Sequence, residues 1–356
     1  MQDIYLPKIF RISNSSDKAL FDALRDADPY ISVHDEMIGQ LRELVKIMNP
    51  SLKLTEEDYQ RLISQQVGST PIGDYGVWVY YPWSRTLVHL LDEEEFVEVR
   101  TNRNRNKITK EEQNLLRTKC IGVAGLSVGQ SIALTLAMER VCGEIRLADF
   151  DTAELSNLNR IRTGVHNLGL KKTIIAAREI AEIDPFIKVQ IFNEGLQEQN
   201  LDAFLGSDRK LDLYIEVCDG IEMKLRSRFK AKELMIPVVM DTNDRGMLDV
   251  ERFDLEPERP ILHGRLQSFI NGKTIQVTGE NRMEIINAIL NFDTLSERMR
   301  LSMMEINKSI NTWPQLASSV VLGGAITTDI CRRILLGEHR VSGRYYVDLD
   351  EIFSGK

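Results

Sequence analysis

The chain has 356 residues, 43 % hydrophobic and 28 % charged, enough for two domains or one large domain with an appendage. Its net charge of −8 argues against a broad nucleic-acid-binding surface, and against a tRNA substrate in particular. No apolar run reaches the roughly 18 residues of a membrane span, and the start Met-Gln-Asp-Ile-Tyr lacks a signal-peptide pattern, so cytoplasmic residence is expected.

In chain order, helical periodicity runs through residues 17–47 (Leu20, Phe21, Leu24, then Met37, Leu41, Leu44, Val45) and again over 54–67. Beyond the turn-rich Gly68–Gly73, the runs Tyr75–Tyr81 and Arg85–Leu91 read as strands, and Pro82-Trp-Ser84 between them predicts a hairpin. Most of its aromatics (Tyr75, Trp78, Tyr80, Tyr81, Trp83) are expected in a core. An acidic patch, Asp92–Glu95, precedes a basic one, Arg100–Lys107. The domain boundary is placed near 98–108, giving an α+β accessory domain over 1–98 and a second domain over 99–356.

From Thr109-Lys-Glu-Glu112, which suits a capping box, the pattern alternates. Strands are predicted at Cys120–Ala124, Glu144–Asp149, Lys188–Phe192, Leu211–Cys218 and Pro237–Met240, separated by helices at Ser131–Val141, Lys171–Ile183, Leu201–Leu205 and Ile221–Leu234. Short apolar strands alternating with helices imply a Rossmann-like α/β fold, a mainly parallel sheet with helices on both faces. After residue 246, Met247–Phe253 and Lys273–Val277 read as antiparallel strands of a C-terminal extension. Met283–Leu290 and Ser319–Leu335 read as helices, the latter broken at Gly323-Gly324.

Chemistry concentrates at the predicted strand ends. The turn Val123-Ala-Gly125-Leu-Ser127-Val-Gly129 joins a strand to a helix, so its backbone amides and the helix dipole can face a phosphate. Asp149 follows Gly129 by 20 residues and closes the second strand, the position from which an acid reads ribose hydroxyls. For Asp151 a turn-stabilising and a catalytic role both stand open. Asn157, Arg160 and Lys172 follow on a polar segment. A planar guanidinium and a compact ammonium together suit a triphosphate better than a dinucleotide. Asp219 ends another strand on the same edge, where a carboxylate beside polyphosphate has the use of holding Mg²⁺.

Asp149-Phe-Asp151, Ser156-Asn-Leu-Asn-Arg160, Gly169-x-x-Lys172 and Cys218-Asp219 stand in the order and spacing of the ThiF/MoeB/ubiquitin-activating-enzyme superfamily, which the chain resembles over about residues 100–255, with fainter likeness near 315–337. The phrase Asp241–Asp254 differs from the better-known members and resembles a bacterial subgroup that pairs this domain with other modules, sometimes a nitroreductase-like one. The resemblance implies an ATP- and Mg²⁺-dependent adenylyltransferase. Its expected substrate is a carboxylate, the C-terminus of a ubiquitin-like or sulfur-carrier protein or of a peptide. It further implies Asp149 on ribose; Asn157, Arg160 and Lys172 on phosphates; Asp219 on Mg²⁺; and Arg103 or Arg105 reaching into the neighbouring subunit of a homodimer.

The sequence also departs from the family. Gly-x-Gly-x-x-Gly is replaced by Ala124-Gly-Leu126-Ser-Val-Gly129. The four cysteines (Cys120, Cys142, Cys218, Cys331) form no Cys-x-x-Cys pair for zinc, and the five histidines show no metal-ligand spacing. No cysteine falls between 219 and 330, so no covalent thioester step is expected. Two rival readings are a non-catalytic scaffold with this fold and an NAD-dependent oxidoreductase. The second leaves Arg160, Lys172 and Asp219 without a use.

Overall fold

The computed structural model describes residues 3–206, 208–271 and 274–354. The chain divides into two compact units, Met1–Lys110 and Glu111–Lys356.

The first unit runs β1 (Lys8–Phe10), α1 (Ser15–Ala27), β2 (Ser32–Asp35), α2 (Met37–Met48), α3 (Glu56–Val67), β3 (Val77–Tyr81), β4 (Thr86–Leu90) and α4 (Glu93–Arg100). Its sheet has the order β1-β3-β4-β2, antiparallel except for the β2–β4 pair. The hairpin and three helices follow from the sequence pattern. Helix starts are set by side chains that accept otherwise unpaired amides: Asn14 from Ser16, and Thr55 and Asp58 reciprocally. Strands β1 and β2 escape a periodicity reading because they are too short, and β2 is exposed throughout. The acidic patch forms the cap and first turn of α4, where carboxylates meet the positive end of the helix. Trp78, Tyr80 and Tyr81 are buried, and Trp78 stacks on His89 at 4.2 Å.

The second unit continues with α5 (Lys110–Arg117), β5 (Cys120–Ala124), α6 (Gly129–Glu139), β6 (Glu144–Ala148), α7 (Lys172–Ile183), β7 (Lys188–Phe192), α8 (Leu201–Leu205), β8 (Leu213–Glu216), α9 (Ile221–Glu233), β9 (Val238–Asp241) and β10 (Met247–Glu251). Among the described residues its sheet has seven strands. With a last strand, Gly343–Tyr346, on the far edge, the order is Gly343–Tyr346, β10, β9, β8, β5, β6, β7. The pairs from β9 to β7 are parallel; β10 and the edge strand are antiparallel. The mainly parallel sheet with an antiparallel C-terminal extension is therefore present.

Strand alternation explains the two helical layers. Cys120 and Ala124 join a core with Phe204, Leu205, Ile221 and Leu225 of α8 and α9. Val123 points the other way, toward α6, where a Cβ on Gly129 would lie 2.8 Å from its Cγ1. Chain order reverses between β5 and β8. Their C-terminal ends therefore open the crevice where ligands bind in such sheets.

Two C-terminal expectations are refined. Lys273 lies outside the described residues; of the run 273–277 the described part includes β12 (Thr274–Ile275), which is antiparallel as expected but, among the described residues, pairs with β11 (Ile270–Asn271) and not with the main sheet. After α10 (Arg282–Leu290) and α11 (Glu297–Glu305), the helix α12 (Ala317–Leu335) runs unbroken through Gly323-Gly324. Those glycines serve close approach instead: a Cβ on Gly323 would lie 2.1 Å from Asp241 Oδ2, and one on Gly324 would lie 2.5 Å from Ser131 Oγ of α6. Among the described residues no helix is long and apolar enough to cross a membrane.

Candidate active site

The site is built on the strand ends flanking the crevice. β5 ends into Gly125, whose φ of +91° favours glycine; a Cβ there would sit 2.4 Å from Val217 O and 2.8 Å from Cys218 N. Gly125 thus lets the turn pass directly against the end of β8, and α6 starts at buried Gly129. The replaced family glycine at 126 is a buried leucine, and its amide is not open to a ligand. It donates to Asp149 Oδ2 at 2.6 Å.

Asp149 stands immediately after β6 and is buried. Its Oδ1 accepts the Asp151 amide at 2.7 Å. Each oxygen keeps a second lone pair for a hydroxyl group. Burial raises the carboxyl above its ordinary pKa, opposed by the nearby Lys172 ammonium. Lys172 opens α7 and is itself buried, with Nζ 2.7 Å from Asp151 Oδ2. Asp151 is exposed, and it holds both ends of this loop, because its backbone carbonyl also accepts the Lys172 amide at 3.1 Å.

Asn157 is buried in a 3-10 turn, Leu155–Asn157, with Oδ1 accepting the Glu154 amide at 3.0 Å. That bond leaves its amide nitrogen as the donor. Arg160 is half-buried. Its Nε donates to Ser127 Oγ at 3.0 Å and its Nη1 to Asn159 Oδ1 at 2.9 Å. Burial lowers its pKa, and the Asp219 carboxylate opposes that shift, so the two side chains feel one another. Asp219 is exposed in the turn after β8. The structure thus brings Gly125, Ser127, Gly129, Asp149, Asp151, Asn157, Arg160, Lys172 and Asp219 to one edge of the sheet. Arg103, in the 3-10 turn Asn102–Asn104, and Arg105, ion-paired with Glu98, belong to the first unit, and both are exposed.

Several residues at this edge have no motif to reveal them. Gln315, 188 residues from Ser127, accepts its hydroxyl at 3.3 Å. Glu216 at the end of β8 is fully buried. It accepts the Cys218 amide at 3.2 Å and Cys218 Sγ at 3.3 Å, and pairs with Lys224 at 2.7 Å and Arg228 at 3.2 Å. It therefore ties the turn carrying Asp219 to α9. A charge inside the apolar run Leu-Tyr-Ile-Glu-Val, with cations 8 and 12 residues on, is the signal that could have found it. Asp241 at the end of β9 is also buried: Oδ1 accepts the Asn243 amide at 3.1 Å, while Oδ2 has no partner. Burial pushes its pKa up to about 7. Cys120, Cys142 and Cys331 are buried, as expected of packing residues.

Comparison with known proteins agrees with this architecture. Residues 101–276 match the sequence model of the ThiF family. An uncharacterized protein of Mycobacterium tuberculosis is 41 % identical over 342 residues, 96 % of this chain and 45 % of that protein. A probable molybdopterin-synthase adenylyltransferase of Porphyra purpurea is 37 % identical over 102 residues, 28 % of this chain and 25 % of that protein. The chain thus spans less than half the length of these two relatives. The crystal structure of E. coli tRNA N6-threonylcarbamoyladenosine dehydratase in complex with AMP shares the fold with a TM-score of 0.50 at 15 % identity, covering 70 % of this chain and 98 % of that one. With the motif order, the crevice at the β5–β8 reversal and the matched residues together, the chain carries a ThiF family domain.

Proposed function

We propose that the second unit activates a carboxylate as an acyl-adenylate at the expense of MgATP. The observation that carries this reading is the gathering of the Gly125–Gly129 turn, a buried acid (Asp149), two cations (Arg160, Lys172) and an exposed acid (Asp219) on one sheet edge. A dinucleotide site has no use for the last three together. The names of the Porphyra relative, an adenylyltransferase, and of the AMP-bound neighbour support it further.

A substrate carboxylate oxygen attacks the α-phosphorus and forms a new P–O bond. The bond to the bridging oxygen breaks, and pyrophosphate leaves with its electron pair. No base is required, because a carboxylate is already ionised near neutral pH. The protein's work is alignment and charge neutralisation. In this reading Asp149 accepts ribose hydroxyls. Arg160, Lys172 and the Asn157 amide bind phosphate oxygens, and Lys172 moves from Asp151 toward the nucleotide. Among the described residues no three His, Cys, Asp or Glu side chains gather as a metal site. Mg²⁺ is commonly held by one or two carboxylates with phosphates and waters supplying the rest; here the exposed Asp219 would hold it. When bound, Mg²⁺ neutralises charge on the polyphosphate. Arg103 or Arg105 of a second copy would complete the phosphate site in a homodimer. The substrate is the C-terminus of a ubiquitin-like or sulfur-carrier protein or of a peptide.

The test is incubation of the full chain with α-labelled ATP, Mg²⁺ and a panel of such proteins and peptides, with the adenylate trapped by hydroxylamine. A labelled AMP product and an acyl hydroxamate are expected for one class of carboxylate. Nucleotide binding without turnover by any of them would favour the scaffold reading, and tight binding of NADH but not ATP would favour the oxidoreductase.

A further inference from the structure

The segment leading into α12 lies against the glycine turn through a closed ring of hydrogen bonds. Ser127 Oγ donates to Gln315 Oε1 at 3.3 Å and accepts from Arg160 Nε at 3.0 Å. Arg160 Nη1 donates to Asn159 Oδ1 at 2.9 Å, and Asn159 Nδ2 donates to the Gln315 carbonyl at 2.8 Å. The ring joins three segments remote in sequence, and two of its members, Ser127 and Arg160, belong to the nucleotide site.

Donor counting shows what an incoming anion does to this ring. A serine hydroxyl has one proton, and here Gln315 takes it. For Ser127 to donate to a phosphate oxygen, it must turn away from Gln315. Gln315 Oε1, which carries only lone pairs, would then face the anion unfavourably. The terminal torsion of glutamine is broad and roughly two-fold, so the carboxamide can exchange Oε1 for Nε2 at low cost. The exchange replaces an acceptor with two N–H donors. The next residues point the same way. Leu316 caps α12 without a side-chain hydrogen bond to the first-turn amides, so the positive end of a 19-residue helix begins beside Gln315.

We propose that Gln315 is a phosphate-binding residue whose carboxamide turns over on nucleotide binding and donates Nε2–H to the polyphosphate, making the strap before α12 part of the nucleotide site. This rests on the nucleotide reading above and adds to it a residue that none of the sequence motifs contains.

Two substitutions separate the parts of the claim. Gln315→Glu keeps an acceptor for Ser127, so the ring in the free protein survives, but it offers no donor and adds a negative charge. Gln315→Ala removes the donor without the charge. Binding of the Mg²⁺ complex of a β,γ-imido ATP analogue to the full chain is measured by calorimetry, with thermal unfolding as the check on folding. Gln315→Ala is expected to weaken binding about tenfold, the worth of one hydrogen bond to a charged group. Gln315→Glu is expected to weaken it on the order of a hundredfold, less so at high salt because exposed charges are screened. Adenosine binding is expected to be unchanged in both. Wild-type binding with both variants within twofold would overturn this inference alone, as would an equal loss for adenosine. Failure of the wild type to bind the analogue would overturn the nucleotide reading as well.

Discussion

Asp241→Asn tests the electrostatic account of the sheet edge. Asp241 is 4 % exposed, Oδ2 has no hydrogen-bond partner, and the Gly323 backbone closes over it. Burial raises the carboxyl from 3.8 to about 7; the Asn243 and Thr242 amides only partly oppose this. A folded-state pKa raised above the unfolded value means stability fully present below the unfolded pKa and lost as pH rises through the folded one. Wild type should therefore lose stability between about pH 4 and pH 8. At roughly 1.4 kcal/mol per pKa unit the ceiling is about 4 kcal/mol, and local relaxation makes about 2 kcal/mol a reasonable expectation. Asparagine keeps the shape and the acceptor for Asn243 but never ionises. In urea titrations of the full chain, Asp241→Asn should be more stable than wild type at pH 8 by about 2 kcal/mol, with the difference shrinking as pH falls and vanishing only below the unfolded pKa, near pH 3. A variant less stable at pH 8, or a difference that does not change with pH, would refute the reasoning.

Other outcomes follow from the same geometry. Arg160→Ala and Asp219→Ala should each cost about 3 kcal/mol of transition-state stabilisation, seen as loss of at least two orders of magnitude in ATP–pyrophosphate exchange with circular dichroism unchanged; exchange retained in both would remove them from the phosphate site. Gly125→Ala should destabilise by about 1–3 kcal/mol, because it combines a positive φ with a methyl 2.4 Å from Val217 O; an unchanged urea midpoint would contradict the close passage of the turn. Gly323→Ala should lower Tm by several degrees, since its methyl would meet Asp241 Oδ2 at 2.1 Å. Partial recovery is expected when Asp241→Ala is added, and simple additivity of the two losses would deny the contact.

Much of the second unit was legible because its elements are local. The predicted strands Cys120–Ala124 and Lys188–Phe192 match the observed ones residue for residue. The glycine turn and Asp149 could be read from spacing alone, since a strand-turn-helix unit fixes where the next strand must end. The misreadings have one cause. Gly323-Gly324 reads as a helix break when only propensity is counted, but glycine also permits two elements to touch, and contact with Asp241 and Ser131 outweighs its cost. Strands β1 and β2 carry too few residues for a period to show, and they are defined by partners 72 and 54 residues away, Lys8 with Tyr80 and Ser32 with Thr86.

The fold class, the glycine turn between strand and helix and the order of acids and cations along the chain were all legible in the sequence, because each depends on neighbours within one strand-helix unit. Tertiary structure alone decided how those groups are spent. It turned the Leu126 amide onto Asp149, paired Lys172 with Asp151, buried Glu216 beneath the Asp219 turn and brought Gln315 against Ser127. Hydrogen bonds depend on distances of about 3 Å, and for residues far apart in sequence those distances exist only once the sheet has set its strand order and the helices have packed on its faces.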